Sequence, residues 1–286
     1  MKIENLLREG IEDEYKLQRL QNIILNIMVY IDGLCQENEI DYYIIGGSAL
    51  GAIRHGGFIP WDDDLDIAMT RDNYNKFISI CRSSKFDSKT FFFQQERRDW
   101  TGYFSKVRLL GTHFEESVHD ESVPYEKQGI FVDIFPLDNV PNRKIQQYWW
   151  FFCGKMLVAY EQTTHKGYNP KGLTKRLVML ASRCLKYEKI RHYFEKEVEK
   201  YTATDTLYIG GHSLVSRFNN TFTRKDLWGK AARVPFETVT LMAPEDIKGF
   251  LSFYFGDYMK LPPIESRRGH HLQRVDYGTI ESDYCL

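Results

Sequence analysis

Cysteine is scarce in this 286-residue chain: five are scattered at Cys35, Cys81, Cys153, Cys184 and Cys285, never in CxxC spacing. That argues against a disulfide frame or a cysteine-built zinc site and suits reduced thiols. No stretch reaches the roughly 18 uncharged apolar residues that a membrane span needs. The first residues, MKIENLLREGIEDEY, carry acids where a secretion signal needs an apolar run, so the expected setting is the cytoplasm. Net charge is nearly absent as well. Lys and Arg number 38 against 39 Asp and Glu, which excludes a uniformly basic nucleic-acid binder. Internal repeats and low-complexity tracts are missing.

The rest is ordinary globular composition, 43% apolar and 27% charged, in a chain long enough to bury a full core without staples. The charge is unevenly spread. Between Arg143 and Tyr193 stand eleven Lys/Arg and two Asp/Glu, leaving 27 against 37 elsewhere. Such asymmetry points to an anionic surface or ligand met by one segment only.

Leu17, Leu20, Ile24, Ile27, Ile31 and Leu34 recur at spacings of three and four, which predicts a helix over 11–38. Its stripe suits packing on the chain's own sheet; a short dimerising coiled coil is the lesser alternative. Tyr42 to Ile45 reads as a buried strand, followed by Gly46-Gly47-Ser48 and an incipient helix ending near Arg54. Strand, Gly-rich turn and helix outline a phosphate-binding arrangement. Strands are further expected at Phe91–Phe93, Tyr103–Leu109 and Gly129–Leu137, and a helix at Asp72–Ile80. Residues 143–200 turn helical behind Tyr148-Trp149-Trp150-Phe151-Phe152. A β-rich piece and an amphipathic segment, Pro244–Met259, follow.

The sharpest signal is Asp64-Leu65-Asp66-Ile67. On a strand, side chains alternate, so both aspartates would share a face while Leu65 and Ile67 enter the core. Two adjacent carboxylates repel, and a divalent cation is the natural remedy. Oxygen-only donors favour Mg²⁺ or Mn²⁺ over zinc. Asp133 is a third candidate, because an unpaired charge amid Phe131, Val132, Ile134 and Phe135 would be costly. Asp62 and Asp63 are weaker candidates that suit shaping the turn or tuning the local field.

The order hydrophobic-Gly-Gly-Ser, a gap of fifteen residues, Asp-x-Asp and a later strand Asp resembles the nucleotidyltransferase superfamily that includes DNA polymerase β. The run Gly47-Ser-Ala-Leu-Gly-Ala-Ile-Arg-His-Gly-Gly-Phe-Ile-Pro-Trp-Asp-Asp-Asp-Leu-Asp-Ile67 resembles the signature of the LicD family. Lys106–Thr112, Gly129–Leu137, Tyr254–Pro263 and Arg267–His271 are similar too, so the likeness spans about residues 15–272. Ser48-Ala49 departs from the Thr-Leu common in that family but keeps the hydroxyl.

The resemblance implies an α/β (α+β) fold: a small mixed sheet bearing the aspartates, flanked by helices. Residues 1–142 would form the catalytic core, 143–200 a basic aromatic helical insertion, and 201–286 the part completing the cleft. It implies transfer of phosphocholine or a similar phosphorylated alcohol from a CDP-activated donor to a sugar hydroxyl of a cell-surface glycan, expected to be lipid-linked, with CMP released. Asp64, Asp66 and Asp133 would hold Mg²⁺ or Mn²⁺, Asp133 serving as ligand or as base. Gly46, Gly47 and Ser48 would cradle a phosphate. Arg54, Lys106 and Arg108 are cationic candidates, with His270 and His271 as further donor contacts.

Helical residues 143–193 suit either a solvated hairpin packed by its aromatics or a peripheral contact with an anionic membrane leaflet. Nucleic acid is not an expected partner. The competing functions are a nucleotide-sugar DxD glycosyltransferase, a silent relative that only binds a glycan, and a transferase that leaves the nucleotide on its target.

Overall fold

A computed structural model of the chain describes residues 3–116, 123–164, 172–214, 217–267, 269 and 272–278, with backbone only for 3–16, 272 and 273. The chain opens with helix α1 (Ile3–Glu37), strand β1 (Tyr43–Ile44), helix α2 (Gly46–Arg54), strand β2 (Asp66–Thr70) and helix α3 (Arg71–Cys81). Strands β3 (Phe91–Gln94), β4 (Ser105–Leu109), β5 (His113–Glu116) and β6 (Phe131–Val140) follow. Three helices come next, α4 (Lys144–Thr164), α5 (Leu173–Ser182) and α6 (Glu188–Glu199). The remainder holds β7 (Tyr208–Gly210), α7 (Phe218–Thr221), β8 (Phe222–Arg224), α8 (Lys225–Trp228), β9 (Ala232–Phe236), β10 (Val239–Ala243), α9 (Ile247–Phe255) and β11 (Leu272–Asp276).

The fold is mixed α/β, as the sequence predicts. The main sheet runs β1-β2-β6-β4-β3, with β7 on β6 and β8 on β7. Strands β2 and β6 are parallel and the other pairs antiparallel. β6 is the hub. It gives one edge to β2 over 133–137 and the other first to β4 over 131–134, then to β7 over 138–140. Pro136 falls between those last two partners, where a missing N–H disturbs neither ladder.

The α1 stripe lies inside the chain: Leu20, Ile24, Ile27 and Ile31 are buried in the main core, and the helix packs on β4 and β6. That burial spends the described stripe on the sheet rather than on a coiled-coil seam. Trp228, Phe236, Leu241, Phe250 and Leu251 belong to the same core, so residues far along the chain close over the N-terminal sheet. The helices α4 to α6 have a second core of Trp150, Cys153, Met156, Leu157, Leu185 and Val198, joined by Tyr103 and Val140. Among the described residues no helix is long and apolar enough to cross a membrane.

Candidate active site

The site is a row across the sheet. Strand register sets Asp66 of β2 opposite Asp133 of β6, Asp133 opposite Lys106 of β4, and Lys106 opposite Gln94 of β3. Cross-strand partners project from the same face, so the two carboxylates and the ammonium stand side by side. The neighbouring Leu65 and Ile67 are buried in the core, as alternation requires.

The strand starts at Asp66 rather than Asp64: the register with β6 begins at Asp66, preceded only by the Asp133 N–H donating to the Leu65 carbonyl at 3.2 Å. Asp64 therefore closes an irregular segment, and the structure draws Asp62 and Asp63 in with it. One carboxylate oxygen from each of Asp62, Asp63 and Asp64 lies within 4.8 Å of the others. Alternation along a strand singles out Asp64 and Asp66, whereas the folded chain brings Asp62 and Asp63 to Asp64 as well.

The N-terminus of α2 holds this cluster. The helix begins at Gly46 itself, so the glycine pair are its first residues, not a loop before it. Gly46 has φ +56°, a conformation costly for other residues, and a Cβ there would come within 3.5 Å of Asp66 Oδ2. The Ile45 N–H donates to the Asp66 carbonyl at 3.1 Å, and the Asp66 N–H donates to Ser48 Oγ at 2.9 Å. The Ser48 hydroxyl thereby locks the aspartate strand to the helix.

Gly47 is closer still, since a Cβ there would stand 2.6 Å from Asp62 Oδ2. Gly47→Ala should leave the fold intact, because alanine favours a helix by about 1 kcal/mol over glycine. It must, however, displace the Asp62 carboxylate. We expect turnover to fall at least ~10-fold with an unchanged melting temperature, checked by side-by-side assay and thermal unfolding.

Burial, then the charges of Asp64, Asp133 and Asp62, push the Asp66 carboxyl well above its ordinary range. Burial also raises Asp133, to about 6, with Lys106 opposing and Glu116 and Asp64 adding. Lys106 is almost fully buried. Its ammonium lies 3.0 Å from Asp133 Oδ1, 3.0 Å from Glu116 Oε1 and 3.6 Å from the Phe131 ring centre. The Asp133 approach lacks hydrogen-bond alignment, so Oδ1 is a buried acceptor without a hydrogen-bond donor among the described residues. The clustered oxygens of Asp62, Asp63 and Asp64 suit a hard divalent cation, while Asp66 and Asp133 fall outside that group of three and Asp133 has the Lys106 ammonium beside it.

Glu116 of β5 escaped the sequence reading, since nothing on that short strand marks it. Burial raises its pKa, but Lys106 and Arg108 more than reverse this and hold it at about 2. Arg108 donates to Glu116 Oε2 and to the Gly129 carbonyl, both at 2.9 Å, and to Gln94. It is thus set behind Lys106 and supports it through Glu116. Arg54 sits at the far end of α2, about 12 Å along the helix from Gly46. There it donates to the Tyr258 carbonyl and to His55 Nε2, each at 3.0 Å. Burial and then Arg54 lower the His55 pKa, keeping the imidazole neutral as an acceptor.

Trp61 leads from this rim to the aspartates, with the Arg267 guanidinium 5.4 Å from its ring centre. A Cβ on Gly269 would meet Asp63 Oδ2 at 2.6 Å, so the C-terminal segment reaches the acidic cluster. His270 and His271 lie outside the described residues. The geometry therefore unites Gly46, Gly47, Ser48, Asp64, Asp66, Asp133 and Lys106, and sets Arg54 and Arg108 apart from them.

A family model described as LicD/FKTN/FKRP, nucleotidyltransferase domain, matches residues 39–166. Over 273 residues the chain is 30% identical to the lipopolysaccharide cholinephosphotransferase LicD of Haemophilus influenzae, covering 91% of this chain and 97% of that protein. An uncharacterized protein of Rickettsia prowazekii, RP689, is 50% identical over 139 residues, 41% of this chain and 51% of its own. Human ribitol 5-phosphate transferase FKRP is 45% identical over 40 residues, 14% of this chain and 8% of FKRP. The match to the Haemophilus protein covers nine-tenths of this chain, the family model spans the glycine pair and the aspartates of the row, and on that ground the chain belongs to the LicD family.

Proposed function

We propose that this chain is a phosphotransferase that moves a phosphorylated alcohol, phosphocholine or a close analogue, from a CDP-activated donor to a sugar hydroxyl of a cell-surface glycan, releasing CMP. The observation that carries the reading is the Asp66–Asp133–Lys106 row set against the N-terminus of α2. Relatives named for transfer of phosphocholine and of ribitol 5-phosphate support a phosphoalcohol over a sugar as the moving group.

Asp64, Asp66 and Asp133, with Asp62 and Asp63 beside them, would hold Mg²⁺ or Mn²⁺. Such an ion supplies charge neutralisation on the donor's phosphates. The N–H groups of Gly46 and Gly47 point from the positive end of α2 and would cradle a phosphate. Lys106 fixes Asp133 and adds positive charge next to it. Two roles are open to Asp133. As a ligand, its loss should be partly rescued by excess Mn²⁺; as the base that takes the acceptor's proton, it should not.

The test is CMP release from CDP-choline, CDP-ethanolamine, CDP-glycerol and CDP-ribitol, with Mg²⁺ or with EDTA. Metal-dependent CMP from one of them is the expected result. Turnover of nucleotide-sugars in their place would overturn the reading.

A cytoplasmic enzyme resting on an anionic inner leaflet, where a lipid-linked acceptor would lie, is part of the same proposal. Helix α5 turns Leu173, Leu177 and Leu180, 74%, 56% and 59% exposed, outward at helical spacing. Lys175, Arg176, Arg183 and Lys186 are exposed around them. Apolar anchors ringed by cations suit such a surface. Flotation with vesicles containing one-third phosphatidylglycerol should recover the protein at moderate salt. Leu177→Glu with Leu180→Glu should reduce recovery several-fold, and wild type left unbound would sink the contact.

A further inference from the structure

A cleft of about 550 Å³ runs along the outer edge of β3, at the end of the main sheet remote from β1. Phenyl rings make its floor: Phe86, Phe91, Phe92 and Phe93. Three cations stand round it, Arg82 at the end of α3, Arg98 after β3, and Lys127 in the turn before β6. The Arg82 side chain donates to Gln95 Oε1 at 2.9 Å, and the Lys127 ammonium lies 4.7 Å from the Phe92 ring centre. Among the described residues no carboxylate is paired with any of the three.

The cleft also offers backbone. The Phe91 N–H donates outward to the Asp87 carbonyl at 2.9 Å, and the Gln95 N–H to Asp99 Oδ2 at 2.8 Å. Alternate residues of an edge strand face the same way, so Phe93 between them turns its N–H and C=O into the cleft.

Cations call for an anion, and the rest of the wall says which kind. Phe86, Phe91 and Phe93 are only 6%, 8% and 9% exposed, so they do not project as anchors for a bilayer. The N–H groups on either side of Phe93 are already bonded outward, which leaves too short an edge for an added peptide strand. Nucleic acid would set a dense row of phosphates against Asp99, which shares the wall. A saccharide bearing an occasional carboxylate or phosphate suits every part. Guanidinium and ammonium groups take its anions, Asp99 and the Phe93 peptide groups its hydroxyls, and the phenyl floor its C–H faces.

The cleft is also placed for such a chain. Phe92 lies opposite Arg108 as Gln94 lies opposite Lys106, so its ring stands on the sheet face that carries the acidic row. Two strand spacings, about 10 Å, separate β3 from β6 and its Asp133. A chain of several sugars spans that distance.

We infer that this cleft is a remote subsite for an anionic stretch of the acceptor glycan, gripped by Arg98 and Lys127. The inference rests on the phosphotransferase reading above and adds to it the acceptor's charge and a second address on the protein.

The test is calorimetric titration of the full chain with tetragalacturonate, a short saccharide bearing carboxylates, and with neutral maltotetraose. Tetragalacturonate should bind at least ~10-fold more tightly, and Arg98→Ala with Lys127→Ala should weaken it at least ~10-fold, the scale of one lost charged hydrogen bond. CMP binding and CMP release from the CDP-alcohol should stay within about 2-fold in that variant, because the two sites are far apart. Lys230→Ala removes an exposed cation near β1, at the opposite sheet edge, and should change nothing. Wild type that ignores tetragalacturonate, or binds maltotetraose equally well, overturns the inference. So do binding unchanged in the double variant, full displacement by equimolar inorganic phosphate, and vesicle flotation lost with the two cations. In those cases CMP release from a CDP-alcohol would still uphold the phosphotransferase reading. Absence of that release from every CDP-alcohol overturns that reading, and the acceptor assignment with it.

Discussion

Replacing Asp66 with Asn is expected to lower the rate of CMP release by about 10²–10³-fold, the scale seen when one preorganised electrostatic contact is lost at a reacting centre. The same change should raise the melting temperature of the metal-free protein. The reason is electrostatic. Asp66 is buried among Asp64, Asp133 and Asp62, which together push its pKa well up, so its ionised form strains the empty site. Asp64→Asn should behave alike in turnover.

The pH dependence follows from the same cause. An acid whose folded pKa lies above its unfolded value weakens the fold as pH rises through that interval. Asp133, moved from 3.8 to about 6, costs the metal-free protein up to about 3 kcal/mol once ionised. Metal-free stability should therefore decline between about pH 4 and pH 6.5. Cations bind the ionised carboxylates, so stabilisation by Mg²⁺ should grow over the same range. In Asp66→Asn both the slope and the Mg²⁺ effect should shrink. Differential scanning fluorimetry with Mg²⁺ or EDTA at pH 5.0 and 7.5 checks this. A wild-type melting temperature indifferent to Mg²⁺ at pH 7.5 would rule out the metal site.

Asp138→Ala is expected to cost about 3–5 kcal/mol of stability, the loss typical of stripping one partner from a buried ion pair. Asp138 is fully buried on β6, and both its oxygens receive the Arg71 guanidinium, at 2.7 and 2.9 Å. Arg71 is nearly as buried and also contacts Glu96 at 3.0 Å, which would keep part of its charge compensated in the variant. The network extends to the second core. Glu199 of α6 lies 3.8 Å from Arg71 and 2.7 Å from Arg97, and Arg97 in turn contacts Glu96 at 3.0 Å. Loss of Asp138 should therefore loosen α6 against the catalytic sheet as well. Urea unfolding measures the first effect and amide exchange over 188–199 the second. A loss under 1 kcal/mol would mean that Glu96 alone can hold the guanidinium. The paired change Arg71→Met with Asp138→Leu should recover much of the loss, since it leaves no charge stranded.

Much of the site was legible because its signals are local. The α1 stripe declared its buried face through spacing alone, and Leu65 and Ile67 declared theirs by flanking an aspartate. Asp133 stood out because a carboxylate in an apolar strand demands a partner. Other residues carried no such mark. Glu116 is an ordinary acid on a four-residue strand, and only its pairing with Lys106 and Arg108 gives it meaning. Lys106 and Arg108 alternate onto one face and look equivalent along the chain. The β4–β6 register separates them, setting Lys106 opposite Asp133 and Arg108 opposite Phe131. Arg54 follows the glycine pair by only seven residues, and the helix beginning at Gly46 carries it a helix length away.

Periodicity, a glycine pair and an acidic run along the chain were enough to establish the element types, the sheet-facing stripe and the residues bearing negative charge. Strand order is another matter, since alternation says which face a side chain takes but nothing about its neighbour. The insertion of β6 between β2 and β4 alone makes Asp66, Asp133 and Lys106 adjacent. The aromatic cavity beside Asp66 is likewise a product of packing, for Phe135, Trp228 and Tyr254 in its wall meet only when β6, α8 and α9 close on one core. Long-range hydrophobic burial drives that closure without direction of its own, and only the folded chain records where it brings the rings together.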